Sequence, residues 1–475
     1  MSLDRSSVAL YASRIFISLA GFLSTVYFAR ELGASGLGVY FTFETVVIVL
    51  GVFTRIGIDN AVIKRLSGAD TDYQRGVYLG GALVLVVAPF VVLSTGVLLF
   101  ATQLNTLVEL AVAPLVALTL ALGTGRELLI AVLRGERRVA TSGLLELLGE
   151  LVRVGASVAL VFDGYGVVGL IYGYVIGQVA AVVVGTPLLR TRPRRPNWGT
   201  FRSLFDFSKY TAGMQVSFLA YSWMDTLLLA ILVSKSAVGV YEAAWRVSAV
   251  TMLAGQAIGT SLAPAVSDWM SSDAVERVEH AVSEAMTYAL VLVVPAVVGA
   301  ALLGDAAMSV LYQFETGGLV LTILVAGKVL QATKDIVQST LLGTENQRVA
   351  FWVNVVTLVA NFVLNLVLIT YFQLLGAAVA TVLTAGTAAL AQLWYLRRIV
   401  DVRFDWTALG WQVAAALLMG TVVYGLSSQF PPTTVPRLIG LVSVGAAVYG
   451  LVVLGHDGMR ERFLGVLPGE QSANA

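Results

Sequence analysis

Charged side chains sit in this sequence where charge is costly. Arg14, Arg55, Arg126, Arg153, Arg246, Lys328 and Lys334 interrupt long apolar stretches, as do Glu44, Glu127, Glu146, Glu150, Asp225, Glu242, Glu284 and Asp335. Residues of this kind are retained in apolar surroundings when they pair with one another or meet a ligand. A guanidinium offers a rigid fork of donors suited to phosphate or carboxylate oxygens. A carboxylate in such surroundings titrates nearer neutrality and can carry a proton.

Helical spacing sorts these groups into faces. Arg14 shares a face with Ser18, Gly21 and Thr25, and Glu44 shares one with Ile48, Gly51 and Arg55. Glu242 and Arg246 line up with Gln256 and Thr260, and Asp225 lies mid-stretch beside Tyr221 and Ser222. Lys328, Gln331, Asp335 and Gln338 form a further polar stripe, with Lys334 close by. Glu146, Glu150 and Arg153 form a stripe with an internal pair and read as structural. Arg126 and Glu127 stand near the inner end of their stretch, where they can snorkel to water.

Other chemistries lack their residues. Without cysteine there are no disulfides, thiolate nucleophiles or cysteine metal sites. His280 and His456 alone supply imidazole, too few for a histidine-built metal centre. No G-x-x-x-x-G-K-[ST] loop occurs, so the sequence holds no phosphate-loop ATP motor. No catalytic residue, metal or cofactor is therefore expected; coupling to H+, Na+ or the membrane potential stays open.

The elements that must position these residues follow from composition. Hydrophobic residues make up 57% of the chain and charged ones 12%, about half the charged share of a soluble domain. Runs of about 20 apolar residues cross a bilayer as helices with every backbone group satisfied. This predicts an all-α polytopic membrane protein of about 14 transmembrane helices. They fall at roughly 8–30, 37–57, 76–100, 107–133, 141–162, 166–189, 210–233, 240–266, 281–303, 318–342, 349–371, 374–396, 408–427 and 436–455. Arg14 interrupts the first run and no cleavage site follows, so it reads as a retained span, not a signal peptide.

Between the spans, 20 Lys and Arg fall on one side and only Arg30, Lys235 and Arg437 on the other. The basic-rich side is expected to be cytoplasmic, with both termini there. Its most basic segment, 190–209, carries Arg190, Arg192, Arg194, Arg195, Arg202 and Lys209, broken by Pro193 and Pro196. Trp198, Phe201, Leu204 and Phe205 then interleave with charge, which reads as a short interfacial helix at the lipid headgroups. Its apolar flanks argue against a nucleic-acid partner.

The sequence also repeats. Gly33–Tyr40 (GASGLGVY) recurs as Ser234–Tyr241 (SKSAVGVY), and Leu83–Val87 as Leu290–Val294, followed by Pro89 and Pro295. Arg138-Val139-Ala140 matches Arg348-Val349-Ala350, and Gly169 falls opposite Gly376. Six spans separate equivalent positions, an even number, so the halves are parallel repeats of the kind transporters build a path between. The division expected is 1–189 as a first six-helix bundle, 190–209 as connector, 210–398 as a second bundle, 399–455 as two accessory helices and 456–475 as a tail.

A helix ending in ARELGASGLGVY, followed by one running into RIGIDNAVIKRLS, resembles the polysaccharide-exporter branch of the multidrug/oligosaccharidyl-lipid/polysaccharide (MOP) flippase superfamily, with its Wzx-type O-antigen flippases. The resemblance implies two six-helix bundles around a central cavity in a prokaryotic cytoplasmic membrane. It also implies export of a polyprenyl-(di)phosphate-linked sugar or oligosaccharide by alternating access, possible partners being the enzymes of glycan assembly. On that reading Arg14, Arg55 and Arg246 form a headgroup site, or else pair with Glu44, Asp225 and Glu242. Glu44, Asp225, Gln256, Lys328, Gln331, Lys334 and Asp335 are then polar cavity or coupling candidates. A MATE-like cation-coupled drug exporter of the same fold is the alternative. An integral-membrane glycan-processing enzyme fits less well, because the outer loops are too short for a catalytic domain.

The charge asymmetry generates a first test. A topology reporter fused after Pro196 should be active only in its cytoplasmic form; activity in the exported form would invert the orientation.

Overall fold

The computed structural model describes residues 5–272 and 274–455. Among them every regular element is helical. The first stretch contains α1 (Arg5–Arg55), α2 (Ile58–Ser67), α3 (Asp72–Leu99), α4 (Ala101–Val108), α5 (Ala113–Gly135), α6 (Val139–Phe162), α7 (Gly166–Gly185) and α8 (Trp198–Leu232). The second contains α9 (Lys235–Val250), α10 (Leu253–Ser271), α11 (Val275–Leu290), α12 (Val293–Tyr312), α13 (Gly318–Gly343), α14 (Gln347–Leu396), α15 (Trp406–Gln429) and α16 (Val435–Leu454).

Two of these elements are pairs of spans joined across a sharp break. Within α1, Gly33 adopts φ 68° and ψ −179°, a conformation essentially reserved for glycine. Within α14 the break falls at Gln373, with φ 51° and ψ −123°, between the spans expected at 349–371 and 374–396. Among the described residues eight segments are long and apolar enough to cross a membrane, α1 and α14 counting once each over their two arms and α11 with α12 counting as one. Apolar side chains such as Val92 and Leu99 on α3, and Val356 and Val359 on α14, are exposed, as lipid-facing residues should be. Three spans differ from expectation by being split: 107–133 between α4 and α5, 240–266 between α9 and α10, and 281–303 between α11 and α12. At the first of these breaks the polar contacts are visible. Asn105 accepts from the backbone N–H groups of Val112 and Ala113, and Pro114 opens α5, where a missing N–H costs nothing.

The chain divides into two compact units, Met1–Gly239 and Val240–Ala475. In the first, α1 packs on α5, α6 and α7, while α8 packs on α1, α2 and α3. The connector lies along α3. The Arg194 N–H donates to the Gly76 carbonyl at 2.8 Å, and a Cβ at Gly80 would overlap the Arg194 carbonyl oxygen. Glu136, from the end of α5, accepts from the Arg190 and Thr191 amides at 3.0 and 2.8 Å. Asn197 then caps α8 by accepting from the Thr200 N–H at 2.9 Å. Further along, Lys209 bonds Asp206 at 2.8 Å, and this hydrogen bond holds the Asp206 carboxyl below the usual carboxylate range. The basic segment is thus a built strap, not a loose loop.

Residues from both copies of the repeated octapeptide meet within this first unit. A Cβ on Gly38 would overlap the Lys235 carbonyl, and one on Gly239 would overlap the Ala34 carbonyl. Ala34 and Lys235 are themselves equivalent positions of the repeat, so the contact is reciprocal.

In the second unit, α10 to α14 form the bundle and α15 with α16 pack on α12. The accessory pair is fastened by polar contacts: the Gln412 amide donates to the Thr287 carbonyl at 3.0 Å, and the Trp411 indole to the Val452 carbonyl at 2.9 Å. Between α12, α15 and α16 lies an apolar cavity of about 520 Å³.

The hairpin turns carry the repeat as well. A Cβ at Gly169 would crowd the Leu160 backbone, and one at Gly376 the Leu368 backbone. Gly166 and Gln373, each three residues earlier, both have positive φ, 58° and 51°. The second copy thus holds a glutamine in a conformation where the first copy has glycine. Gln373→Gly should relieve about 1 kcal/mol of backbone strain and raise the thermal midpoint of the purified protein. A lower midpoint would show that the Gln373 side chain outweighs its backbone.

Candidate functional site

A group of polar side chains in the first unit lines a cavity of about 320 Å³ between α1, α5 and α7. Arg55 and Gly51 come from α1, Thr119, Gly123, Thr124, Arg126 and Glu127 from α5, and Tyr174 and Gln178 from α7. The guanidinium of Arg55 donates from Nε to Asp59 Oδ2 at 3.3 Å, and Arg126 from Nη1 to Glu127 Oε1 at 3.1 Å. Each guanidinium thus spends one nitrogen on a carboxylate. Gly51 lies beside the other end of Arg55, where a Cβ would make an ordinary contact, 3.5 Å from Nη1. Thr54 and Thr124 share a hydrogen bond at 2.9 Å beside it. Gln178 is 7% exposed, and its Oε1 is buried without a hydrogen-bond partner.

A second network in the same unit links α6 to α1. Arg153 on α6 forms a bidentate pair with Glu150, its Nε reaching Oε2 at 2.8 Å and its Nη2 reaching Oε1. Its Nη1 also donates to the Tyr40 hydroxyl at 2.9 Å, which in turn donates to Glu44 at 3.3 Å. Glu146 pairs with Arg134 instead. The Glu150–Arg153 pair expected from the stripe is therefore present, and it joins α6 to α1.

In the second unit Lys328 is 3% exposed. Its ammonium sits 3.8 Å from the centroid of the Trp245 ring and donates to Gln331 Oε1 at 2.9 Å, a cation–π contact in desolvated surroundings. Asp335 stands within electrostatic reach of Lys334 and Lys328, and Arg246 within reach of Tyr312. An amide ladder ties α13 to both arms of α14: Asn354 donates to Gln338 at 3.0 Å and Gln392 to Asn354 at 3.1 Å. Asn361 donates to Thr384 and Asn365 to Asn361, each at 3.0 Å.

The structure distributes the residues singled out from the sequence over both units. Glu44, Arg55 and Asp225 belong to the first, and Arg246, Lys328, Gln331, Lys334 and Asp335 to the second. Asp225 and Glu242 are both buried. The side chains of Arg14 and Gln256 lie outside the described residues. Arg126 and Glu127, read as able to snorkel to water, line the same cavity as Arg55 and stay partly exposed. Tyr174 and Gln178 escaped notice, although a glutamine in the apolar run of α7 was the available signal.

Solved structures define the class. The fold matches a lipid II flippase, MurJ, in an inward closed conformation, with TM-score 0.80 and 13% identity over 96% of this chain and 100% of that one. It matches an inward-facing multidrug resistance MATE family transporter of the MOP superfamily with TM-score 0.67 and 16% identity, over 83% and 98% of the two chains. The protein is therefore a polytopic membrane protein of the MOP fold. Residues 27–315, more than half of the chain, match the family described as polysaccharide biosynthesis protein, and the chain belongs to that family. Two relatives come from Haloferax volcanii. The probable low-salt glycan biosynthesis flippase Agl15 is 32% identical over 463 residues, 97% of this chain and 98% of its own. The probable flippase AglR is 28% identical over 466 residues, 97% of each. The resemblance first carried by residues 30–67 thus extends along nearly the whole chain.

The Glu150–Arg153 pair gives a clean stability test. Arg153→Met alone strands a buried carboxylate and should cost about 3 kcal/mol. Adding Glu150→Leu should restore most of that loss in detergent unfolding, and failure of the double variant to recover would mean that the pair does more than neutralise itself.

Proposed function

We propose that the protein is a flippase that moves a polyprenyl-phosphate- or polyprenyl-diphosphate-linked sugar or oligosaccharide from the cytoplasmic to the outer leaflet by alternating access, for cell-surface glycan assembly. The observation that carries this reading is the cavity holding Arg55 and Arg126 in a chain related end to end to glycan biosynthesis flippases. Two forked donors beside a space inside a lipid-facing bundle suit an anionic headgroup, each keeping guanidinium nitrogens beyond the one its carboxylate partner takes. Arg14 and Arg246 remain headgroup candidates in this proposal, each on its own unit. Movement draws on protons, sodium or the membrane potential, with Asp225 and Asp335 as carriers. The protein works in the cytoplasmic membrane, both termini inside, alongside the enzymes that assemble the glycan.

A MATE-like exporter of cationic small molecules is the second reading, favoured by the fold match and by the buried carboxylates Asp225 and Glu242. The two readings separate under substitution. Arg55→Lys keeps the charge but loses the fork, so glycan export should fall about tenfold while the protein still accumulates, the scale of one lost charge-assisted hydrogen bond. Wild-type glycan export by Arg55→Ala, with altered resistance to cationic compounds, would favour the exporter.

A further inference from the structure

The basic strap ahead of α8 holds charge that the protein does not spend on itself. From Arg190 to Phe205 it carries five arginines and no acid. Arg190, Arg192, Arg194 and Arg195 are exposed, and among the described residues their guanidinium groups take no carboxylate. Three carboxylates near the strap are occupied: Glu136 by the strap amides and Arg138, Asp72 by Arg75, and Asp206 by Lys209. The segment that follows α14, at the end of the second repeat, behaves differently. There Arg398 lies over the Trp394 ring at 3.6 Å, Arg397 over Phe404 at 5.8 Å, and Arg403 pairs with Asp401 at 2.7 Å. In the strap only Arg194 meets a ring, that of the exposed Tyr73 at 5.0 Å.

The strap is also held at a defined level. A Cβ at Gly76 would crowd the Arg192 carbonyl oxygen, and one at Gly80 would overlap that of Arg194. Further along α3, Leu83, Val84 and Val87 are exposed and apolar. At 1.5 Å of rise per residue, Gly80 lies about 6 Å before Val84 along the helix axis. The guanidinium groups are therefore fixed where the lipid-facing surface of α3 begins, at the depth of the headgroups. Trp198, 81% exposed, and the exposed Phe205 follow directly on α8, and tryptophan favours this level of a bilayer. We infer that the strap and the first turns of α8 form a docking surface for anionic phospholipids of the surrounding bilayer. Arg190, Arg192 and Arg195 meet the lipid phosphates, while Trp198 and Phe205 enter the interface beside them. A soluble acidic partner would match the charge but leaves those two rings without a medium. The surface is independent of the cargo, since it serves lipid that stays in the membrane.

The sequence has no cysteine, so Pro193→Cys introduces a unique thiol at an exposed strap position. The full-length protein carries a bimane fluorophore there and is placed in nanodiscs containing a minor fraction of brominated lipid. That lipid is phosphatidylglycerol in one arm and phosphatidylcholine in the other. The brominated phosphatidylglycerol should quench with an apparent affinity at least about fivefold higher, the worth of one guanidinium near an anionic surface. High salt should shrink the difference. With Arg190→Gln, Arg192→Gln and Arg195→Gln together, the two lipids should quench alike and the melting midpoint should hold, because exposed charges add little stability. Arg→Lys at the same three positions should keep the selectivity, since a fluid lipid surface responds to charge. Arg397→Gln with Arg398→Gln should keep it too. Equal quenching by both lipids before any arginine is changed would overturn the assignment, as would selectivity that survives the triple glutamine variant. Quenching by neither lipid would place the strap in water, facing a soluble acidic partner, and would overturn it as well. The readout is lipid contact and not export, so its failure leaves the flippase reading standing.

Discussion

Hydrocarbon does not solvate polar atoms, and most of this structure follows from that constraint. Backbone groups meet it by helix formation, so every regular element among the described residues is helical. A side-chain charge near the bilayer centre costs about 3 kcal/mol even on the mildest insertion scales. The chain offsets this cost locally. Arg153 takes Glu150 and Tyr40, Lys328 takes Trp245 and Gln331, and Glu146 takes Arg134. Arg55 and Arg126 also take carboxylates, Asp59 and Glu127, and with Gln178 they line a cavity.

Much of the fold was legible because span length and apolarity are dictated by the same constraint. The two arms of α14 were placed within a residue or two, since Gln373 and its polar neighbourhood interrupt the apolar run. The repeat was legible too, and the structure gives its matches a physical meaning. The small residues at 38 and 239 are where two backbones touch, and those at 169 and 376 are where hairpins close. The site was only half legible. Arg55 could be singled out by its face, but Arg126 looked like an end-of-span residue until α7 was packed beside it. Gln178 gave a single polar letter in an apolar helix, and whether such a letter is satisfied depends on tertiary packing that sequence spacing does not encode.

The connector shows how topology and packing reinforce each other. Its arginines set the expected orientation of the chain, while its backbone is tied to α3 and to Glu136. It therefore belongs to the first unit in space as well as in sequence, and α8, which it leads into, packs there too. A basic strap fixed in this way has its backbone tied to α3 and to the end of α5.

The central claim is that the chain carries a phosphate-linked sugar across a bilayer. The most direct measurement reconstitutes the purified protein in liposomes containing a short-chain polyprenyl-phosphate-linked sugar confined to the inner leaflet. Appearance of the sugar outside is followed with impermeant periodate. Protein-dependent oxidation, slowed in Arg55→Lys vesicles that hold the same amount of protein, is the expected result. Oxidation no faster than in protein-free liposomes, under a proton gradient, a sodium gradient and an imposed potential in turn, would contradict it.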